Sequence, residues 1–300
     1  MFTGGTGFLG RNAKPVLDRH YEVTTIGIMD ADDLKCSLTS DVADIQRVIG
    51  CRGGYDIVLH AAGKAHIYPK TQEEIQSFYD INYQGTVNLC KALELTHLPK
   101  SFVFISTNAV YGIDCGNGQD ETTPLNGTSP YAKSKIMAEE FLIDWAKKNN
   151  VILTIFRPCL LAGVGAPGNL GAMVRGIKTG AYLSIDHGKA RKGMLMAEDI
   201  ANLVILAEDK GGIYNICDDH DPSFGELEAT IAKQLGKRPP VSIPYWLAKC
   251  AAWVGDIIGD KFPLNSARLE KIVTSDVWSN GKAKKELGWK PLDVITNYKI

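Results

Sequence analysis

Short runs of apolar residues recur along this chain, separated by longer segments whose apolar positions fall three and four apart. The runs at 2–3, 23–26, 57–60, 102–106, 153–156 and 213–216 read as strands, with a further short one near 34–36. The intervening patterns predict helices following Phe8 and over 75–95, 131–147 and 199–208. Strands that alternate with helices build βαβ units and a parallel sheet. The expected fold is α/β: a doubly wound parallel sheet of Rossmann type, with a smaller C-terminal substrate lobe.

The pattern changes after Pro158. Gly163 to Gly171 is glycine-rich and reads as a loop able to wrap a ligand, and 217–300 holds separate helices around Pro222, Pro239-Pro240 and Pro263. The expected division is a dinucleotide-binding domain of 1–158 plus 194–216, and a substrate lobe of 159–193 plus 217–300. The most apolar late stretch, Trp246 to Gly255, is too short to span a bilayer. It reads as a packed helix, with a membrane-surface role as the lesser reading. Only Met1-Phe2-Thr3 precede the first glycine, so residues upstream are expected to complete the first strand.

Two constellations carry candidate chemistry. Gly4, Gly7 and Gly10 stand three apart between a strand and a helix. There, one glycine permits a tight turn, another admits a pyrophosphate, and a third lets helix and strand pack closely. The helix N-terminus adds free N–H groups for phosphate. Tyr131 and Lys135 lie four apart on a predicted helix, and so on one face. The ammonium is expected to pull the phenol's pKa down and so favour proton exchange near neutral pH. Tyr-x-x-x-Lys also occurs on ordinary amphipathic helices; its company with the glycine turn gives it weight.

Bulk composition narrows the partners. A formal charge of −1 over 300 residues offers no general attraction for nucleic acid or for anionic membranes. Seven dispersed cysteines form no C-x-x-C pair and no metal spacing with the six histidines, which predicts reduced thiols, a cytoplasmic location and no metal.

The Gly4–Gly10 run, His60-Ala61-Ala62-Gly63, Asn82 to Thr86, Ser106 to Gly112 and Tyr131 to Lys135 occur together and in order. Arg157-Pro158, Met196 to Ala201 and Lys284 to Trp289 follow. In this the chain resembles the extended short-chain dehydrogenase/reductases, in particular the NAD(P)-dependent nucleotide-sugar epimerase/dehydratase group. The resemblance implies a catalytic set of Thr107, Tyr131 and Lys135. It implies that NAD or NADP rests on Gly4, Thr6, Gly7, Phe8, Leu9 and Gly10. Further cofactor contacts would come from Ala61, Ala62, Gly63, Asn82 and Ser106, from Tyr131 and Lys135 again, and from Pro158. Thr107, Asn108, Asn169, Arg175 and Arg191 are the candidates for the substrate, the guanidinium groups suiting a diphosphate. His66 reads first as a solvated loop histidine, with the sugar pocket as its other reading. A homodimer through helices near 75–95 and 132–147 is also implied.

Departures from the family's pattern sharpen the expectation. Asn108-Ala109 stand where dehydratases carry Asp-Glu, which argues against water elimination. No asparagine follows Arg157-Pro158 closely, which leans from 4-epimerase toward 4-ketoreductase. Past the second strand Asp30 stands late for reading a ribose, and no arginine replaces it, leaving NAD and NADP open. The expected function is hydride transfer at C4 of a nucleotide-activated sugar, as ketoreductase ahead of 4-epimerase. A reductase of a non-sugar ketone and a non-catalytic dinucleotide sensor are the other readings.

Overall fold

In the computed structural model, which describes residues 1–65, 67, 69–259, 262 and 264–300, β1 (Phe2–Thr3) lies between two parallel neighbours. Phe2 pairs with Thr25 of β2 (Thr25–Gly27) on one side and with Leu59 of β4 (Ile57–His60) on the other. β3 (Leu34–Lys35) extends the sheet beyond β2, and β5 (Ser101–Ile105) extends it beyond β4. Ile152–Pro158 and Gly212–Ile216 complete seven parallel strands among the described residues. The chain winds outward from β1 to β3, then returns across β1 to β4. The C-terminal ends of β1 and β4 therefore flank the switch point, where ligands of such sheets bind. His66 and Pro263 lie outside the described residues.

The pleat sends alternate side chains of β5 to opposite faces. Phe102 and Phe104 join Ile45, Leu89 and Trp145 in one core, while Val103 and Ile105 join Ala13, Leu203 and Phe156 in the other. Burial of each valine, leucine, isoleucine or phenylalanine among these contributes about 1.5–3 kcal/mol. One face is covered by helices α2 (Val42–Gly50), α4 (Gly85–Glu94) and α5 (Pro130–Asn149), and the other by α1 (Phe8–Leu17) and α7 (Asp199–Ala207). α5 begins where local chemistry directs it. The Ser129 hydroxyl accepts from Ala132 N at 3.1 Å, and Pro130 takes the first turn.

Three expectations need correction. The segment 75–95 is not one α-helix: α3 (Gln72–Phe78) runs into a π-helical turn, Tyr79–Gln84, before α4 resumes. Gly163 to Gly171 is loop only in its first half, because α6 (Gly168–Thr179) starts inside it; Leu170, Met173 and Ile177 bury its inner face against α8 (Phe224–Gln234). The late apolar stretch is helical, as α9 (Tyr245–Ile258), but is not packed all round. Only Ala248, Ala252 and Gly255 are buried, against α10 (Ser266–Val273) and neighbouring strands. No helix of the described residues is long and apolar enough to cross a membrane.

Outside the main sheet, Met194–Met196 pairs with Leu160–Ala162, Ser242–Ile243 with Ser184–Ile185, and Val277–Trp278 with Asn117–Gln119. Side chains tie the C-terminal region back: Asp199 accepts from Leu292 N and Asp218 from Val294 N, both at 2.7 Å.

Candidate active site

The turn after β1 is built for backbone proximity. Gly4 has φ +74°, and a Cβ there would sit 2.9 Å from Ala62 N, so any larger residue would be strained and would push away the turn that follows β4. On Gly10, in the first turn of α1, a Cβ would lie 2.0 Å from the Gly5 carbonyl oxygen. Gly7 caps α1 and brings no side-chain acceptor, so the first amides of the helix keep their hydrogen-bonding capacity and partial positive charge. Phe8 packs against the core that holds Leu170, Met173 and Leu227, and Leu9 against the sheet core, which fixes the direction of the helix.

Across this turn stands Asp32, which is buried. Its Oδ2 accepts from the Thr6 hydroxyl at 3.2 Å and from Met29 N at 3.0 Å, whereas its Oδ1 is buried without a partner. Asp30, which stands late in the sequence for reading a ribose, is exposed and paired with Lys35 instead. Asp33 is bonded to Thr25 N and Oγ1, both at 2.8 Å. Three neighbouring acids thus take three separate tasks. Gly27 makes room for Asp32, since a Cβ there would meet Oδ2 at 2.4 Å. The Asp-rich run was the only sequence signal, and it could not single out Asp32.

The end of β4 is held by a buried imidazole. His60 Nδ1 bonds Thr3 Oγ1 at 2.7 Å and His60 Nε2 bonds Thr86 Oγ1 at 2.8 Å, joining β1, β4 and α4. Burial, and then the Lys135 charge, lower its pKa to about 3, so it stands neutral. Ala61 and Ala62 follow, their amides donating to Thr3 O and Thr3 Oγ1 at 3.2 and 3.1 Å. Asn82, from the π-helical turn, accepts from Lys64 N at 2.7 Å and donates to Lys64 O at 3.1 Å and Ser134 Oγ at 3.0 Å. Asn82 therefore clamps the turn after β4 to α5. Gly63 sits inside this clamp: a Cβ there would be 3.0 Å from Asn82 Oδ1 and 3.5 Å from Lys135 Nζ.

Tyr131 and Lys135 leave α5 on the same face. Phe78 supports the Tyr131 ring edge-on at 6.2 Å, and the Ser134 hydroxyl donates to Tyr131 O at 2.8 Å. Lys135 is buried, donates to Ile105 O at 2.8 Å and lies 4.5 Å from the Phe104 ring centre. Burial lowers its pKa to about 8, with Glu139 opposing. The expected direction at Tyr131 is reversed. Burial raises the phenol above its ordinary value, and the hydrogen bond to the Thr107 hydroxyl opposes that rise. The ammonium is held by the Ile105 carbonyl, and desolvation outweighs any help it gives the phenolate.

Thr107, two residues beyond β5, is extended and caps the next turn, its Oγ1 also accepting from Ala109 N at 3.2 Å. Thr107, Tyr131 and Lys135 are therefore brought together. Asn108 opens the following 3₁₀ turn, half-buried. Ser106 faces elsewhere: its hydroxyl bonds Glu139, which pairs with Arg157 at 2.5 Å behind the sheet end. Arg157 in turn donates to the Tyr111 hydroxyl at 2.9 Å. Pro158 is buried at the end of its strand. Asn169 and Arg175 are exposed on α6, and the Arg191 guanidinium donates to the carbonyls of His220 and Asp221, each at 3.0 Å. A cavity of about 600 Å³ opens at the opposite end of the sheet, beside Tyr21, Arg52 and Tyr55, and contains none of these residues. The chemistry, not that volume, locates the site.

The residues fit a nicotinamide dinucleotide. The glycine turn and α1 amides suit a diphosphate, and Asp32 Oδ1 is a buried acceptor lacking a donor, as a ribose hydroxyl would supply. The model of the NAD dependent epimerase/dehydratase family matches residues 1–217. An N-acetyl-alpha-D-glucosaminyl-diphospho-ditrans,octacis-undecaprenol 4-epimerase of Escherichia coli O157:H7 is 27% identical, over 90% of this chain and 84% of the relative. UDP-glucose 4-epimerase of Vibrio cholerae is 26% identical, over 97% of this chain and 90% of its own. The fold is shared with UDP-glucose 4-epimerase of Thermotoga maritima, with TM-score 0.76 and 20% identity, covering 98% of this chain and 94% of that one. The chain belongs to the NAD-dependent epimerase/dehydratase family.

Proposed function

We propose that the protein is a 4-epimerase of a sugar carried on a diphosphate, with a nucleotide-activated sugar as substrate and NAD as the resident cofactor. The observation that carries the hydride chemistry is the joining of Thr107, Tyr131 and Lys135 at the sheet's C-terminal edge. When bound, the dinucleotide supplies the hydride acceptor and donor. Tyr131 exchanges the proton of the sugar hydroxyl, and Thr107 holds the same oxygen by hydrogen bonding. Lys135, placed between Gly63 and Ile105, supplies positive charge beside the phenol and suits the nicotinamide ribose.

The sequence leans to the ketoreductase; the Escherichia coli and Vibrio cholerae relatives favour the epimerase, since both are 4-epimerases of a diphosphate-linked sugar. An epimerase returns the hydrogen it removes to the opposite face of one carbon, so it profits from a cofactor that stays bound. Asp32 supports NAD over NADP, because a 2′-phosphate would bring its charge against a buried carboxylate. Residues 159–193 and 217–300 are read as the lobe that takes the sugar, with Asn108, Asn169 and Arg175 toward it. Arg191 would have to leave its carbonyl partners to grip a diphosphate. A homodimer through α4 and α5 is supported by the exposure of Met137 and Ile143 on α5.

The test is incubation with UDP-glucose or UDP-N-acetylglucosamine and no added cofactor, following the C4 proton by NMR. Conversion to the C4 epimer, abolished in Tyr131→Phe, supports the epimerase. Turnover only of a keto-sugar with stoichiometric consumption of added NADPH rejects it.

A further inference from the structure

α9 is amphipathic the wrong way round for a helix of a closed core. At 100° per residue, Trp246, Cys250, Trp253 and Ile257 fall along one line, and Leu247, Val254 and Ile258 along the next. All seven are exposed; both indoles are 65% exposed and Ile257 is 67% exposed. The face turned inward offers only Ala248, Ala252 and Gly255. Small residues there let α9 lie close upon α10, so its bulk projects outward. The polar flank holds Lys249 and Asp256, and Asp256 is engaged by Ser266 N at 3.0 Å at the start of α10.

The segment that leads into and forms this helix carries mostly positive charge. Between 237 and 259 stand three cations, Lys237, Arg238 and Lys249, and the single carboxylate of Asp256, although the whole chain is slightly acidic. Lys237 and Arg238 line a cleft with two exposed apolar residues, Leu183 and Val241. Val241 leads directly through Ser242–Ile243 into α9. Apolar side chains with indoles, bordered by lysine and arginine, are the composition of a helix lying in the headgroup region of an anionic bilayer. A second copy of the chain suits the face less well. The exposed arc is about 21 Å long and on the order of 10 Å wide, short of the ~800 Å² per partner that a stable interface buries.

We propose that α9 is a membrane-docking helix, whose Trp246–Ile257 face enters the interfacial layer of an anionic lipid bilayer with Lys237, Arg238 and Lys249 at the headgroups. The face shares no residue with the set of Thr107, Tyr131 and Lys135, and neither the proposal nor its test depends on the reaction assigned above.

Tryptophan fluorescence reads this directly. Of the five tryptophans, Trp145, Trp278 and Trp289 are buried, leaving Trp246 and Trp253 to report contact. The whole protein would be mixed with vesicles of phosphatidylcholine, with and without phosphatidylglycerol. The expected result is co-sedimentation with the anionic vesicles, a blue shift, and quenching by brominated lipid. Binding should weaken at least about tenfold in a Trp246→Ser/Trp253→Ser variant. A Lys237→Glu/Arg238→Glu variant should lose the preference for anionic vesicles, while Tyr131→Phe binds as the wild type does. Wild-type protein that stays in the supernatant with unshifted emission overturns the proposal. So does a concentration-dependent dimer, broken by the tryptophan variant, in protein that ignores vesicles.

Discussion

Lys135 Nζ donates to the carbonyl oxygen of Ile105 at 2.8 Å, which pins the α5 ammonium to the C-terminal end of β5. This buried cation titrates at about 8 instead of 10.5. Below pH 8 both folded and unfolded chains carry the charge, and the folded chain bears the full cost of burying it. As pH rises from about 8 to 10.5 the unfolded chain holds the extra proton, so that cost is relieved. Urea denaturation of wild type and Lys135→Met should show the wild type gaining on the variant over this window. The gain should be on the order of 3 kcal/mol. Parallel pH curves for the two proteins would show that the ammonium is not desolvated.

His60 gives the opposite limb. Its folded pKa is about 3, against an ordinary 6.5. Its contribution is complete above pH 6.5 and is lost as pH falls toward 3, at about 1.4 kcal/mol per unit. His60→Asn should be less stable at pH 7, since Thr3 and Thr86 lose their shared partner. Its stability should fall less steeply on acidification than the wild type's. An unchanged acid slope would mean that His60 already carries its charge in the fold.

Tyr131→Phe removes only the phenolic oxygen and keeps the ring packing on Phe78. Activity should drop by about 10²–10⁴-fold, the range for a lost general acid–base group. Dinucleotide binding, followed by calorimetry, should survive. Wild-type turnover in this variant would remove Tyr131 from the chemistry.

Asp32→Ser keeps a partner for Thr6 and removes the buried carboxylate facing the glycine turn. NAD affinity should fall and NADP affinity rise, narrowing the ratio of the two at least about tenfold, one good polar contact. An unaltered ratio would place the ribose elsewhere.

Glu139 and Arg157 form a buried ion pair, with Ser106 on the same carboxylate. Glu139→Ala leaves the guanidinium without its countercharge. The loss should be about 3–5 kcal/mol, read from the denaturation midpoint. A loss below 1 kcal/mol would mean that water replaces the carboxylate.

The sheet was legible because its strands are apolar on both faces: the runs at 57–60 and 102–106 have no polar alternation to confuse them. The pairing of Tyr131 with Lys135, two of the three proposed catalytic residues, was legible because local spacing sets them on one helix face. What escaped is what only tertiary contact decides. Asp30, Asp32 and Asp33 are chemically alike, and only the packing of Gly27 and Thr6 selects Asp32. The π-helical turn that aims Asn82 at Lys64 and Ser134 leaves no mark in hydrophobic period. The direction of the Tyr131 shift depends on burial, which a four-residue spacing cannot reveal. An apolar helix reads as packed whether its apolar face turns in or out, and α9 turns it out.

The most direct test of the epimerase reading is mass spectrometry of the small molecules released when freshly purified protein is denatured. Near-stoichiometric NAD, with C4 epimerisation requiring no added cofactor, is the predicted result. A protein that releases no dinucleotide and turns over only with added NADPH and a keto-sugar would contradict it.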